Sequence, residues 1–189
     1  MTLYEMSKII KAASYIVKKD NFLIVGSQAV LGNYLNEVGG FEFARSREID
    51  IVIKESEQEI ADLLQGIFGE ASYFERTHGI YIDVVDLKTC ILPEGWERRL
   101  IKKQLEDGPL MRFLSAEDLA FAKYAAWRDK DKAFIAKMWN ENLLDIEKMR
   151  ELWSKLPKDR LSNEELSLIK NRFERQYNEL QNLGTSDDS

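Results

Sequence analysis

The chain has 189 residues, 44% of them apolar and 11% aromatic, and 33 acidic against 27 basic side chains give a formal net charge of −6. That is enough apolar material for one sizeable core with a helical annex, and the acidic balance argues against a broad nucleic-acid-binding surface. With one cysteine, Cys90, and one histidine, His78, a disulfide framework, a Cys/His zinc site and a Cys-x-x-Cys redox pair are excluded.

No apolar run approaches the ~20 residues of a membrane span, and the first 18 residues carry Glu5 and several lysines in a periodic pattern unlike a signal peptide. A soluble, cytoplasmic protein with no membrane partner is expected. Thr2-x-x-Glu5 fits a capping box, and Met6, Ile9, Ile10, Ala13, Ile16 and Val17 recur at helical spacing, so the N-terminal segment reads as a packing helix. Phe22 to Val25 reads as an apolar strand, followed by a Gly26-Ser27 turn and a helix from about Gln28 to Glu37 that ends at Gly39-Gly40.

The next strand, Arg47 to Ile53, alternates. Glu48, Asp50 and Val52 point to one face while Ile49, Ile51 and Ile53 point to the other. Two carboxylates on one face of a half-buried strand repel each other and are disfavoured by desolvation; a divalent cation resolves the conflict, and hard oxygen ligands suit Mg²⁺. Taken alone, Glu-x-Asp on a strand is common, and Gly-Ser is an ordinary strand-to-helix turn.

Ser56-x-x-Glu59 reads as a second capping box, opening a helix with an apolar stripe of Ile60, Leu63, Leu64, Ile67 and Phe68 closed by Gly69. Two short strands are expected next, Ala71 to Arg76 and Ile80 to Leu87, joined by a tight turn at Thr77-His78-Gly79. In the second of these, Ile80, Ile82 and Val84 should face the core and Asp83 the other way. If it neighbours the acidic strand, Asp83 joins Glu48 and Asp50 on the open face; Asp86 has the opposite parity and is the weaker candidate.

After the Leu92-Pro93-Glu94-Gly95 turn, Trp96 to Gln104 reads as a short helix bearing Arg98, Arg99, Lys102 and Lys103, and Met111 to Leu114 as a further strand. From Ser115 the pattern is helical: one long helix to about Trp139, a second from Leu143 to Leu156, and a third from the Ser162-x-x-Glu165 box to Leu180. The expected organisation is an α/β (α+β) core over residues 1–114, with a mixed sheet and helices on one face, a helical region over 115–183 and a disordered tail over 184–189. Cys90 reads as a packed core thiol, His78 as a turn residue, and Trp96, Trp127, Trp139 and Trp153 as core or inter-helix anchors.

The strand, Gly26-Ser27, the Glu48-Ile49-Asp50 strand and the later Asp83 together resemble the nucleotidyltransferase superfamily with a DNA polymerase β-like fold. More closely, Thr77-His78-Gly79-Ile80-Tyr81-Ile82-Asp83, Leu92-Pro93-Glu94-Gly95-Trp96, Lys123 and Arg128-Asp129-Lys130-Asp131 resemble small bacterial nucleotidyltransferases related to AbiEii-type toxins. The resemblance covers about Phe22 to Leu144. It implies a Mg²⁺-dependent enzyme that takes an NTP as substrate, with Glu48, Asp50 and Asp83 as catalytic metal ligands of a two-metal site. It further implies Gly26 and Ser27 against the phosphates, and Lys123, Lys130 and Asp131 reaching the nucleotide.

The acceptor implied is an RNA, such as a tRNA 3′ end, or a protein hydroxyl, and an antitoxin or a second copy of the chain is the partner the resemblance admits. Glu48 departs from the pattern, since aspartate is commoner there. From spacing alone Lys123, Arg128, Lys130 and Asp131 read instead as a solvated helix face with i,i+3 and i,i+4 ion pairs. A nucleotide-binding or protein-interaction module without turnover, and a metal phosphohydrolase, are the alternative readings that fold alone leaves open.

Overall fold

In the computed structural model, residues 1–33 and 46–184 are described. They divide into two compact units, one of Met1–Cys90 with Glu97–Ser115, the other of Ile91–Trp96 with the chain from Ala116 onward.

The first unit is built on a five-stranded mixed sheet. It comprises β1 (Asn21–Ile24), β2 (Glu48–Val52), β3 (Tyr81–Val85), β4 (Ile101–Gln104) and β5 (Leu110–Phe113), in the order β3-β2-β1-β5-β4. The central pair β1/β2 is antiparallel, as is β4/β5, while β2/β3 and β1/β5 run parallel. The fold is therefore the α+β class with a mixed sheet that the alternation of strands and helices implies.

Register sorts the side chains into two faces. Phe22, Ile24, Ile49, Ile51, Ile82, Met111 and Phe113 are all fully buried on one. The helix α1 (Leu3–Val17) contributes Met6, Ile9, Ile10 and Ala13 to the core of this unit, and α2 (Gln58–Phe68) contributes Ala61, Leu64 and Phe68. The Thr2/Glu5 capping box forms as the spacing predicts, with each side chain accepting from the other's backbone N–H.

Several local expectations are overturned. The segment expected as a strand over Ala71 to Arg76 is the helix α3 (Tyr73–His78): the Ser72 hydroxyl accepts from Glu75 N–H at 3.0 Å, and the Glu75 carboxylate takes Ala71 N–H. Two reciprocal caps outweigh the β-preference of Tyr73 and Phe74. Gly79 ends α3 in the left-handed region, so β3 enters beside β2 as a parallel strand, not as the second arm of a hairpin. The helix expected over Trp96 to Gln104 shrinks to a 3₁₀ turn, Trp96–Arg99, and β4 follows as a lysine-bearing edge strand, a device that discourages further strand pairing.

Ser56 does not cap α2, which begins at Gln58 after a 3₁₀ turn. The 3₁₀ helix Ser27–Asn33 stands where the helix from Gln28 begins; the remainder of that expectation, and the Gly39-Gly40 stop, lie outside the described residues.

The second unit is helical: α4 (Ala116–Ala126), α5 (Asp129–Asn140), α6 (Ile146–Trp153) and α7 (Asn163–Gly184). The single long helix expected from Ser115 is broken. Trp127 adopts φ 51° and Arg128 is extended, and the Asp131 carboxylate then accepts from Arg128 N–H at 3.1 Å, restarting the helix. Asp145 caps α6 through Glu147 and Lys148 N–H, so the helix starts at Ile146, three residues later than the expected start at Leu143. The Ser162/Glu165 box opens α7, which runs on to Gly184; residues 185–189 of the expected tail lie outside the described residues. Tyr124, Trp139 and Phe173 form the aromatic centre of this unit, with Trp139 Nε1 donating to the Tyr124 hydroxyl at 3.1 Å.

Candidate active site

The polar face of the sheet is set by the same register that buries the isoleucines. Asp50 on β2 lies directly beside Asp83 on β3, and Glu48 lies beside Tyr81. All four side chains are half-buried. The strand alternation thus puts the three expected carboxylates on one face of the sheet.

The Tyr81 hydroxyl donates to Glu48 Oε2 at 3.2 Å. Burial first, then the charges of Glu48, Glu70 and Asp83, push the Tyr81 phenol up to about 12, so it stays protonated and donating at neutral pH. Asp83 is raised from the usual carboxylate value by burial, then by Glu48 and Glu70. Both shifts register the negative charge gathered on this face.

Gly26 sits over the cluster. Its φ is +59°, and a Cβ there would overlap Oδ2 and Cγ of Asp50, so the turn after β1 lies directly on that carboxylate. The antiparallel pairing that produces this contact continues past the strand, with Val25 N–H donating to the Asp50 carbonyl at 2.9 Å. Ser27 then begins the 3₁₀ helix, which Asn33 ties to the chain just after β5 by donating to the Leu114 carbonyl at 3.2 Å. Glycine is required here both for the backbone conformation and for the closeness of approach.

The helical candidates behave differently. Lys123 Nζ bonds Asp131 Oδ1 at 3.2 Å, and Arg128 Nε bonds Asp131 Oδ2 at 2.7 Å; Asp131 is wholly buried and Lys123 nearly so. Lys123 and Asp131 are thus brought together in a buried ion pair, while Lys130 stands exposed on the surface of α5. The solvated-face reading fits Lys130 and the Lys132–Asp129 pair but not Lys123 or Asp131. Asp86 caps the 3₁₀ turn Leu87–Thr89 by accepting from Lys88 N–H. His78 is exposed and lies 4.3 Å from the Phe74 ring, and Cys90 is half-buried, not a core thiol.

Three residues join the site that sequence patterning did not single out. Tyr81 was legible from its parity, two residues before Asp83. Glu70 had no signal, since it follows the helix stop at Gly69. Arg112 on β5 shares the polar face through Leu23 and Val52; its Nη2 donates to Asn21 at 2.9 Å and its Nε is buried with no acceptor.

Among the described residues, no three His, Cys, Asp or Glu side chains are gathered closely enough to hold a metal ion. Asp50 and Asp83 are register-paired and Glu48 stands two residues along β2, so the three carboxylates share the polar face of the sheet.

A Gly-Ser turn laid on an acidic strand, in a mixed sheet with a third carboxylate on the adjoining parallel strand, is a nucleotidyltransferase-like α+β architecture. The chain belongs to the family described as nucleotidyltransferase of unknown function (DUF6036), whose model matches residues 2–182. Comparison with curated proteins and with solved structures gave no match.

Proposed function

We propose that this protein is a Mg²⁺-dependent nucleotidyltransferase that joins the nucleoside monophosphate of an NTP to an acceptor hydroxyl and releases pyrophosphate. The observation that carries the reading is the Asp50–Asp83 pairing beneath Gly26. Bound Mg²⁺ would supply the positive charge that neutralises the triphosphate and relieves the crowding of Glu48, Asp50 and Asp83.

The chain's own residues divide the remaining work. Gly26 admits the phosphates close to the backbone, and the family resemblance sets the Ser27 hydroxyl against them. Asp50 and Glu48 would hold the metal, and the Tyr81 hydroxyl bonds Glu48. Asp83, on the adjoining parallel strand, would accept the acceptor's proton as the hydroxyl oxygen bonds to the α-phosphorus and the bond to pyrophosphate breaks. Lys123, Lys130 and Asp131 are assigned to the nucleotide on the family resemblance, with Lys130 presenting the exposed cation. A toxin-like role, with a tRNA 3′ end or a protein hydroxyl as acceptor, rests on the same resemblance.

The test follows thermal stability with each NTP and Mg²⁺, then pyrophosphate release and transfer of α-phosphate label in a cell extract resolved into RNA and protein. A Mg²⁺-dependent shift with one NTP, lost in Asp50→Ala and accompanied by labelled acceptor and pyrophosphate, is the expected result. Absence of any NTP-dependent shift sinks it. The hydrogen bond that occupies Glu48 favours a second reading, a nucleotide-binding module without turnover, for which the shift would appear without pyrophosphate. Orthophosphate without labelled acceptor would mark a phosphohydrolase.

A further inference from the structure

The four basic residues expected on one short helix, Arg98, Arg99, Lys102 and Lys103, are divided by the fold. Arg98 and Arg99 stay in the 3₁₀ turn, while Lys102 and Lys103 fall on opposite faces of β4. Lys103 pairs with the buried Met111 on the core side. Lys102 pairs with Arg112, and Arg112 with Leu23, so both cations stand on the polar face that carries Asp50 and Asp83.

Two like charges directly opposite each other destabilise a strand pair. The sheet makes this arrangement twice on one face: Asp50 beside Asp83 at β2/β3, and Lys102 beside Arg112 at β4/β5. The first pair calls for a cation, the second for an anion. Lys102 is exposed, and neither cation has a carboxylate partner among the described residues. Arg112 bonds only the neutral amide of Asn21, through Nη2 at 2.9 Å; its Nη1 bonds no described residue and reaches solvent. The Asn21 bond therefore steadies a guanidinium whose Nη1 end remains available to a ligand.

Position along the strands decides which anion. Arg112 lies beside Leu23 of β1, whereas Asp50 lies beside Val25 and beneath Gly26. The Asp50–Asp83 row thus stands between the Gly26-Ser27 turn and the cation pair. Arg112 is two strands across and two residues along from Asp50, roughly 12 Å between Cα atoms. In phosphoryl transfer the attacking and leaving oxygens lie nearly in line on opposite sides of the phosphorus. With the triphosphate on the turn, the acceptor approaches from the side of Lys102 and Arg112. Two unneutralised cations there match the phosphates of a nucleic-acid strand and do nothing for a neutral protein hydroxyl. In a chain of net charge −6 they supply the local attraction that a polyanion needs.

We propose that Lys102 and Arg112 bind the backbone phosphates of a single-stranded nucleic-acid acceptor and set its terminal hydroxyl at the carboxylates. There its proton passes to Asp83 as its oxygen bonds to the α-phosphorus and pyrophosphate leaves. This assignment rests on the transferase reading and selects a nucleic acid over a protein as acceptor.

Fluorescence anisotropy of the full chain with a short labelled single-stranded RNA of mixed sequence, and with DNA of the same sequence, tests it across a salt series in EDTA; the tighter of the two identifies the sugar. Saturable, salt-dependent binding is expected. Lys102→Ala, on the exposed edge strand, should weaken it by roughly threefold to tenfold and reduce the slope of log affinity against log salt by about 0.7. Lys102→Glu should weaken it further, and Lys8→Ala, which removes an exposed lysine of α1, should leave it unchanged. Arg112→Gln should match Lys102→Ala; because Arg112 also bonds Asn21, the Lys102 variants carry the test if that variant does not fold. The Mg²⁺-dependent NTP shift, read on the same proteins, keeps the two claims apart and should be the same in Lys102→Ala as in wild type. An intact shift with no saturable binding of either strand, with Lys102→Ala binding as tightly as wild type, or with Lys8→Ala weakening binding as much, overturns the nucleic-acid site alone. Absence of the shift from wild type sinks the transferase reading and the acceptor role with it.

Discussion

The backbone of Gly26 rests on the Asp50 carboxylate, so closely that a Cβ at Gly26 would overlap Oδ2, Cγ and Cβ of Asp50. The turn after β1 and the acidic strand β2 are therefore one construction. The antiparallel pairing of the two strands delivers the turn to the carboxylate, and the missing side chain lets it settle there.

Gly26→Ala should accordingly damage fold and site together. The left-handed backbone and the overlap each disfavour alanine, at a combined cost of about 1–3 kcal/mol in unfolding free energy. Urea melts should show the lower midpoint, and the Mg²⁺-dependent NTP shift should vanish even at temperatures where the variant remains folded. A variant of wild-type stability and wild-type shift would contradict the close approach.

Asp83 makes a prediction of opposite sign. Burial, then Glu48 and Glu70, hold its pKa above the ordinary 3.8. The folded chain keeps that proton over a pH range where the unfolded chain has lost it, so this group's contribution to stability falls as pH rises from 3.8 through the raised folded value. Asp83→Asn removes the ionisation. Without metal at pH 7 it should melt no lower than wild type, and its stability should depend less on pH across that window, while the NTP shift is lost. Metal-free melts across the acid range decide it; a clear loss of stability at pH 7 would refute the like-charge account.

The carboxylate face was legible because it rests on parity. Once Ile49 and Ile51 are assigned to the core, Glu48 and Asp50 must face away, and the matching alternation of Ile82 and Asp83 places β3 in the same scheme. The path of the chain between these strands was not. Tyr73 and Phe74 carry strand preference, and the caps from Ser72 and Glu75 that make α3 are local hydrogen bonds that composition does not reveal. The break between α4 and α5 was hidden for a similar reason: no glycine or proline marks it, and Trp127 is held in the left-handed region with no turn residue in the sequence to announce it. Lys123 and Asp131, eight residues apart, read as surface residues on one continuous helix, and only the break folds them into a buried pair.

Tyr81→Phe should loosen Glu48 without disturbing the sheet. The ring is retained and only the hydroxyl bond to Oε2 is lost, a net change of about 0.5–1.5 kcal/mol. Mn²⁺ titration should therefore show affinity reduced by roughly two- to tenfold, with a loss of unfolding free energy no larger than that of the one bond. With the phenol raised to about 12, the wild-type advantage should persist through mildly alkaline pH. Equal Mn²⁺ affinity in the two proteins would remove Tyr81 from the positioning of Glu48.

Asp131 holds the helical unit at its break. Its carboxylate, fully buried, bonds Lys123, Arg128 Nε and the Arg128 backbone N–H that restarts α5. Asp131→Ala withdraws the counter-charge from a lysine that is itself 6% exposed, and removing one member of a buried pair typically costs about 3–5 kcal/mol. Arg128→Ala should cost much less, because the Arg128 side chain is 61% exposed and water replaces its contact. The pH dependence separates this pair from the sheet. Burial alone would raise Asp131, but the Arg128 bonds and the Lys123 charge outweigh it and its pKa is lowered. Its contribution is complete above 3.8 and is lost as pH falls through the depressed folded value, opposite in sign to Asp83. In an Asp83→Asn background, adding Asp131→Ala should shrink the acid limb, the lowered carboxyls of Glu5, Glu57, Asp129 and Glu165 keeping the remainder; an acid limb unchanged by the second substitution would mean that Asp131 is not among the groups the acid attacks.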